Sequence, residues 1–400
     1  MSEVQEIINN ENIKKEEEQE IKENTFDEKL IGDINDKNIS NLISSSEPKD
    51  NKMRYFGIDL IRVIACFLVM QVHACELFYI DPNLAFARGE NNIIPGIVNS
   101  FSRPCVPLFI MISGYLLLPI KTDYKTFLKK RFTRISFPFI AFCAFYDIYY
   151  FIVGDIDGKT MFKNFGKIFI NYGTEIGHLW YMYMIMWVYL FIPIITPWVK
   201  SAKKEHFYYY LILWLISSFN TYIHLPFKEI WGEAYWNKNT IFQGFFGDFG
   251  YAVLGCFIKM HLKEYNFYIL DIILYLIGTG ISMFGYLYSR KTATKLDEIE
   301  VAWKFDSFNV IIATFGVFML LRKVECKNKT ISKIFNDIAL KSYGMYLIHI
   351  FFMNFFKYVF DAPNKFYFWS VFVITILTFI VSYLVVKVIS YISYSQYIIG

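Results

Sequence analysis

Arg62 and His73 are separated by ten residues inside an otherwise apolar stretch, Phe56 to Phe78, long enough to cross a bilayer. On a helix that spacing amounts to about three full turns plus roughly 20°, so both side chains leave one face about 16 Å apart along the axis. A cation toward one surface and a titratable imidazole toward the other read as two stations of one path across the membrane. Ionisable groups inside a span cost about 2.5–3.5 kcal/mol each on insertion scales, which makes them functional candidates by default. Asp59 shares the face and stands three positions before Arg62, where the two can pair. Glu76, one turn beyond His73, suits a group that orients the imidazole, and equally a solvated loop acid. A structural ion pair at the membrane edge beside a hydrogen-bonded histidine explains the same spacing, so both readings stand at this point.

A second cluster, Lys129, Lys130, Arg131 and Arg134, precedes an apolar run in "KKRFTRISFPF". Arginines three apart at a helix start present two planar forks on one side, suited to bidentate capture of phosphate, although basic residues also belong in cytoplasmic loops for topological reasons. Ser113 and Gly114 interrupt another apolar run, where a small residue favours close helix packing. His178 opens "HLWYMYM" and His349 lies inside "SYGMYLIHIFF". A single histidine at a helix crossing is more often a hydrogen-bonded structural group than a site.

The elements that must position these residues are membrane spans. The chain is 55% hydrophobic and 20% aromatic over 400 residues, more than a soluble protein would hide in one core. Residues 1–50 carry 14 Asp/Glu against 6 Lys/Arg with little apolar content, an acidic tail expected to be disordered; residues 51–400 carry a net charge of +12. No basic start followed by an apolar signal run is present, so the amino terminus is expected to stay in the cytoplasm. Apolar segments predict an all-α polytopic bundle of ten spans near 56–78, 101–119, 135–153, 178–198, 207–225, 241–258, 266–288, 307–321, 339–360 and 366–391. Lys and Arg concentrate in the even-numbered connections, such as Lys121 to Arg134 and Arg322 to Lys333, which puts both termini in the cytoplasm, Arg62 toward the inside and His73 toward the outside. Aromatic clusters such as Trp180, Tyr181 and Tyr183 suit the membrane interface.

The six cysteines, at 66, 75, 105, 143, 256 and 326, show no CxxC pairing, and neither a disulfide framework nor a metal site is expected. A Walker P-loop, a G-x-S-x-G elbow, an HExxH motif and a dinucleotide fingerprint are all missing, which removes support for energy coupling and metal hydrolysis. Nothing calls for nucleic acid. A transporter or flippase of a sugar, lipid or proton, with Arg62 and His73 as relay groups, is the rival from another class.

In order along residues 55 to about 390, the blocks "GIDLIRVIACFLVMQVH", "RPCVPLFIMISGYLL", "KKRFTRISFPF", "HLWYMYMIMWVYLFIPII", "GYAVLGCFI" and "SYGMYLIH" resemble the integral-membrane acyltransferase 3 family. The Arg, ten residues, His pattern followed by Arg-x-x-Arg is its most specific signature. The resemblance is strongest to the standalone members, similar to the O-acetyltransferase of enterobacterial common antigen and other surface-polysaccharide enzymes. It implies a multi-pass cell-membrane enzyme with no bound cofactor. Acetyl-CoA or another acyl-CoA would be the cytoplasmic donor, and a hydroxyl of a surface glycan or glycolipid the acceptor. Longer members append an esterase-like domain with a Gly-Asp-Ser motif; none is seen here, and the acidic tail is outside the family pattern.

On that footing Arg131 and Arg134, with Arg62 deeper in, are expected to hold the phosphates of coenzyme A. His73 is expected to deprotonate the acceptor hydroxyl, with Asp59 fixing Arg62. His178 and Glu175 are candidates for contact with the acceptor, and Glu76, Ser113 and His349 for supporting roles. A covalent route through Ser113 or a cysteine lacks a visible activating group.

Overall fold

A computed structural model describes residues 56–81, 85–87, 89–170, 176–219, 222, 243–362, 364 and 369–400. The expected acidic tail lies outside them. The described residues form helices: α1 (Phe56–Glu76), α2 (Ile93–Ser102), α3 (Cys105–Leu117), α4 (Tyr124–Val153), α5 (Gly158–Lys167), α6 (Trp180–Ser201), α7 (Lys204–Ser217), α8 (Phe249–His261), α9 (Tyr268–Ser289), α10 (Leu296–Ile299), α11 (Phe308–Leu321), α12 (Lys329–Val359), α13 (Ser370–Ile389) and α14 (Gln396–Ile399). Among them no strand occurs, only an isolated bridge between Ile80 and Phe86.

Seven segments among the described residues are long and apolar enough to cross a membrane: Phe56–Glu76, Glu90–Leu117, Tyr124–Val153, Trp180–Ser201, Tyr268–Ser289, Val301–Leu321 and Ser370–Ile389. Each overlaps one expected span. Of the other three, the one expected over 339–360 falls on the second half of α12 and its cap, where Lys341, Ser342, His349 and Asn354 dilute the apolar run. Those over 207–225 and 241–258 correspond to α7 and α8, which at 14 and 13 residues are each short of a bilayer's thickness.

Two boundaries differ from expectation for identifiable reasons. The second span starts near residue 90 rather than 101 and is divided into α2 and α3, because Pro104 has no N–H to continue the ladder. The basic cluster expected ahead of the third span is built into α4 itself. Asp123 caps that helix by accepting from the Thr126 N–H at 2.9 Å, and these contacts with Thr126 hold its carboxyl below the usual range. Gly154, in the left-handed conformation at φ 87°, ends it. Thirty residues reach about 45 Å, so the Lys125 to Arg134 stretch extends past the apolar thickness.

A helix that is apolar on most of its circumference belongs inside a bundle, and α1 does: it packs against α2, α3, α11, α12 and α13. α3 and α8 approach backbone to backbone. A Cβ at Gly114 would lie 1.9 Å from the Ala252 carbonyl oxygen, and one at Gly255 would lie 2.1 Å from that of Met111. The expectation that Gly114 serves close packing is met.

Candidate active site

Along α1, Asp59, Arg62, Val69 and His73 follow one face. Asp59 is buried, and its Oδ1 stands 3.7 Å from Arg62 Nη1 while Asn336 Nδ2 donates to its other oxygen at 3.3 Å. The Asp59 carboxylate, itself held by α12 through Asn336, steadies the guanidinium, and Arg62 lines a cavity.

That cavity, of about 200 Å³, draws its wall from four other helices as well. α4 contributes Arg131 and Arg134, α3 contributes Ser113, α6 contributes Tyr181 and Tyr189, and α12 contributes Ser342, Tyr343 and Tyr346. Residues 131 and 134 are three apart on α4, which is why both reach the same opening. The guanidinium carbon of Arg131 lies 5.7 Å from the Phe127 ring and 6.0 Å from that of Tyr189, contacts that steady a cation without neutralising it. Its Nε is buried with no hydrogen-bond partner among the described residues. Three guanidinium groups around one apolar-walled space suit a ligand bearing several anionic groups. Val69 also lines the cavity, so its α1 wall ends one turn short of His73.

His73 Nδ1 lies 2.6 Å from Glu76 Oε2. A carboxylate accepts, so Nδ1 carries the hydrogen and Nε2 presents the lone pair, the arrangement of a carboxylate-oriented general base. Of the two readings of Glu76, orientation of the ring is the geometry present. Two more imidazoles close on this one. The ring centres of His73 and His349 are 5.3 Å apart, those of His73 and His178 6.4 Å, and those of His178 and His349 5.0 Å. His349 Nδ1 donates to the Tyr346 carbonyl at 2.5 Å and His178 Nε2 to the Leu347 carbonyl at 3.3 Å. The Tyr346 hydroxyl donates to the His178 carbonyl, and that of Tyr146 donates to the Leu347 carbonyl at 3.0 Å. Tyr346 is therefore shared: it lines the cavity and packs 5.8 Å from both His178 and His349.

The candidates from sequence thus fall into two groups joined by α1 and Tyr346. Arg62, Arg131, Arg134 and Ser113 surround the cavity, while His73, Glu76, His178 and His349 cluster beyond it. Glu175 lies outside the described residues. The Ser113 hydroxyl is engaged by the Phe109 carbonyl at 2.9 Å. Of the aromatic residues expected at the membrane interface, Tyr181 lines the cavity 5.5 Å from the Tyr346 ring, Tyr183 donates to the Ile168 carbonyl at 2.6 Å, and Trp180 stacks on Phe305. These aromatic rings are all engaged within the protein.

Arg103 escaped the sequence reading. It sits at the break between α2 and α3, buried, with its guanidinium carbon 4.6 Å above the Trp303 ring. A lone basic residue in the apolar block "SRPCVPLF" was the available signal.

The seven apolar helices make this a multi-pass membrane protein. No curated protein and no solved structure matches the chain. The family model described as an acyltransferase domain matches residues 55–387, which includes every described residue of the cavity and of the histidine cluster, and the chain belongs to the acyltransferase 3 family.

Proposed function

We propose that this acyltransferase moves an acyl group, acetyl in the first instance, from cytoplasmic acyl-CoA to a hydroxyl of a cell-surface glycan or glycolipid. The observation that carries the proposal is the convergence of Arg62, Arg131 and Arg134 on one cavity whose α1 wall ends one turn short of His73. In this reading the arginines hold the phosphates of coenzyme A, and the pantetheine arm runs along α1 over the roughly 16 Å to His73. A ten-span arrangement with both termini inside puts the arginine end at the cytoplasm and His73 toward the outer face. The excess of Lys and Arg in the even-numbered connections supports it, and the cell membrane is its place.

The chemistry balances with the protein's own groups. His73 Nε2 takes the proton of the acceptor hydroxyl as its oxygen attacks the thioester carbonyl. When the carbon–sulfur bond breaks, the thiolate of coenzyme A leaves and receives that proton from the imidazolium, so ester and free thiol are formed and the base is regenerated. Glu76 holds Nδ1–H and offsets the transient positive charge. Asp59 keeps Arg62 in place for the donor.

The test is thiol release from acetyl-CoA by detergent-purified protein supplied with envelope glycan extract, with mass detection of the acetylated sugar. Release that depends on His73, with an acetyl ester on the glycan, is the expected result. Folded protein that binds none of several acyl-CoAs would instead favour a transporter.

A further inference from the structure

The histidine cluster has a property that acyl transfer alone does not require. A carbonyl oxygen only accepts hydrogen bonds, so the Tyr346 carbonyl fixes the hydrogen of His349 on Nδ1, and the Leu347 carbonyl fixes that of His178 on Nε2. The remaining nitrogens, His349 Nε2 and His178 Nδ1, are then lone-pair acceptors. Both are buried, and neither has a hydrogen-bond partner among the described residues. His73 Nε2 is a third lone pair, since Glu76 occupies Nδ1. One cluster of rings thus offers three acceptor nitrogens and no donor.

A buried acceptor without a partner costs free energy until a ligand supplies the hydrogen. A metal ion would also use lone pairs, but among the described residues no group of three or more His, Cys, Asp or Glu side chains is arranged to hold one. An anion or a carbonyl compound brings only further acceptors. The ligand that brings donors on neighbouring atoms is a polyhydroxyl compound. Access fits: the side chains of His73 and Glu76 keep 19% and 27% of their surface exposed, whereas His178 and His349 are closed off behind them.

We propose that His349 and His178 are specificity-determining residues that select an acceptor bearing a second hydroxyl next to the one to be acylated. The hydroxyl bonded to His73 Nε2 reacts, while its neighbour donates to His349 Nε2 or His178 Nδ1. Aliphatic monoalcohols and spaced diols leave these nitrogens unsatisfied and react more slowly. The inference rests on the acyl-transfer reading above and adds the acceptor class to it.

The isomers 1,2-propanediol and 1,3-propanediol differ only in whether the hydroxyls are adjacent, so they isolate this feature. With acetyl-CoA and the full-length purified protein, thiol release and the acetylated product are measured for each isomer and for 1-propanol. The expected result is a preference for 1,2-propanediol of about tenfold in kcat/KM, the ratio one buried hydrogen bond supports. His349→Phe and His178→Phe are expected to reduce that preference toward unity, with KM for acetyl-CoA unmoved. Because the wild-type preference is read without any variant, a misfolded substitution does not shield the idea. Equal rates for the two diols in wild type, with thiol release evident, would overturn the inference and leave acyl transfer standing. No thiol release with any alcohol or with glycan extract would remove both.

Discussion

The two ends of the α1 face are built on opposite principles. At the Arg62 end the wall is charged and open: three guanidinium groups surround a cavity, steadied by aromatic rings and, for Arg62, by Asp59. At the His73 end the groups are packed ring against ring, and each imidazole has one nitrogen committed to a carboxylate or a carbonyl. Fixed positive charge gathered around one cavity serves binding. An oriented imidazole serves proton transfer, because its second nitrogen is held ready and little rearrangement is needed when charge develops. One helix carries both, so the distance between them is set by helical rise rather than by loop geometry.

Substitutions at the two ends should therefore fail in different ways. The largest effect is expected at His73: the alanine variant loses about 10²–10⁴-fold in kcat while its KM for acyl-CoA changes little, as steady-state rates on purified protein would report. Wild-type turnover in that variant would break the division outright. Glu76→Gln comes next, with a loss of about 10–100-fold in kcat, since the amide can bond the ring but offers no charge to the imidazolium. An effect confined to KM would place Glu76 with the binding groups instead.

At the other end, Arg131→Ala and Arg134→Ala are expected to raise KM for acetyl-CoA by about tenfold each, the loss of one charge-assisted contact, with a smaller change in kcat. Raising the salt concentration should weaken donor binding in wild type and less so in these variants, because exposed charge is screened. The smallest effect is expected at Ser113, whose hydroxyl already serves the Phe109 carbonyl within its own helix. Ser113→Ala should stay within about threefold of wild type, a range typical of losing an exchangeable neutral hydrogen bond. Abolished transfer there would replace direct attack with an acyl-enzyme route.

The sequence was most legible where a single helix carried the information. The Arg62 to His73 spacing, the Asp59–Arg62 pair and the paired forks of Arg131 and Arg134 all follow from helical periodicity. What it could not yield was the meeting of His73, His178 and His349. These residues are far apart in the chain and come from α1, the turn before α6, and α12, and no local pattern encodes that packing. Read one at a time, His178 and His349 looked like separate structural histidines. The break at Pro104 was visible as a proline, but the apolar run across it concealed the earlier start of the span.

The most direct test of this division pairs acetyl-CoA affinity with thiol release in the wild type, His73→Ala and the double variant Arg131→Ala/Arg134→Ala. His73→Ala is expected to keep a wild-type Kd while thiol release falls by about 10²–10⁴-fold, whereas the double variant loses affinity by about 100-fold, two charge-assisted contacts together. Wild-type affinity in the double variant, or wild-type rates of thiol release in His73→Ala, would contradict that division.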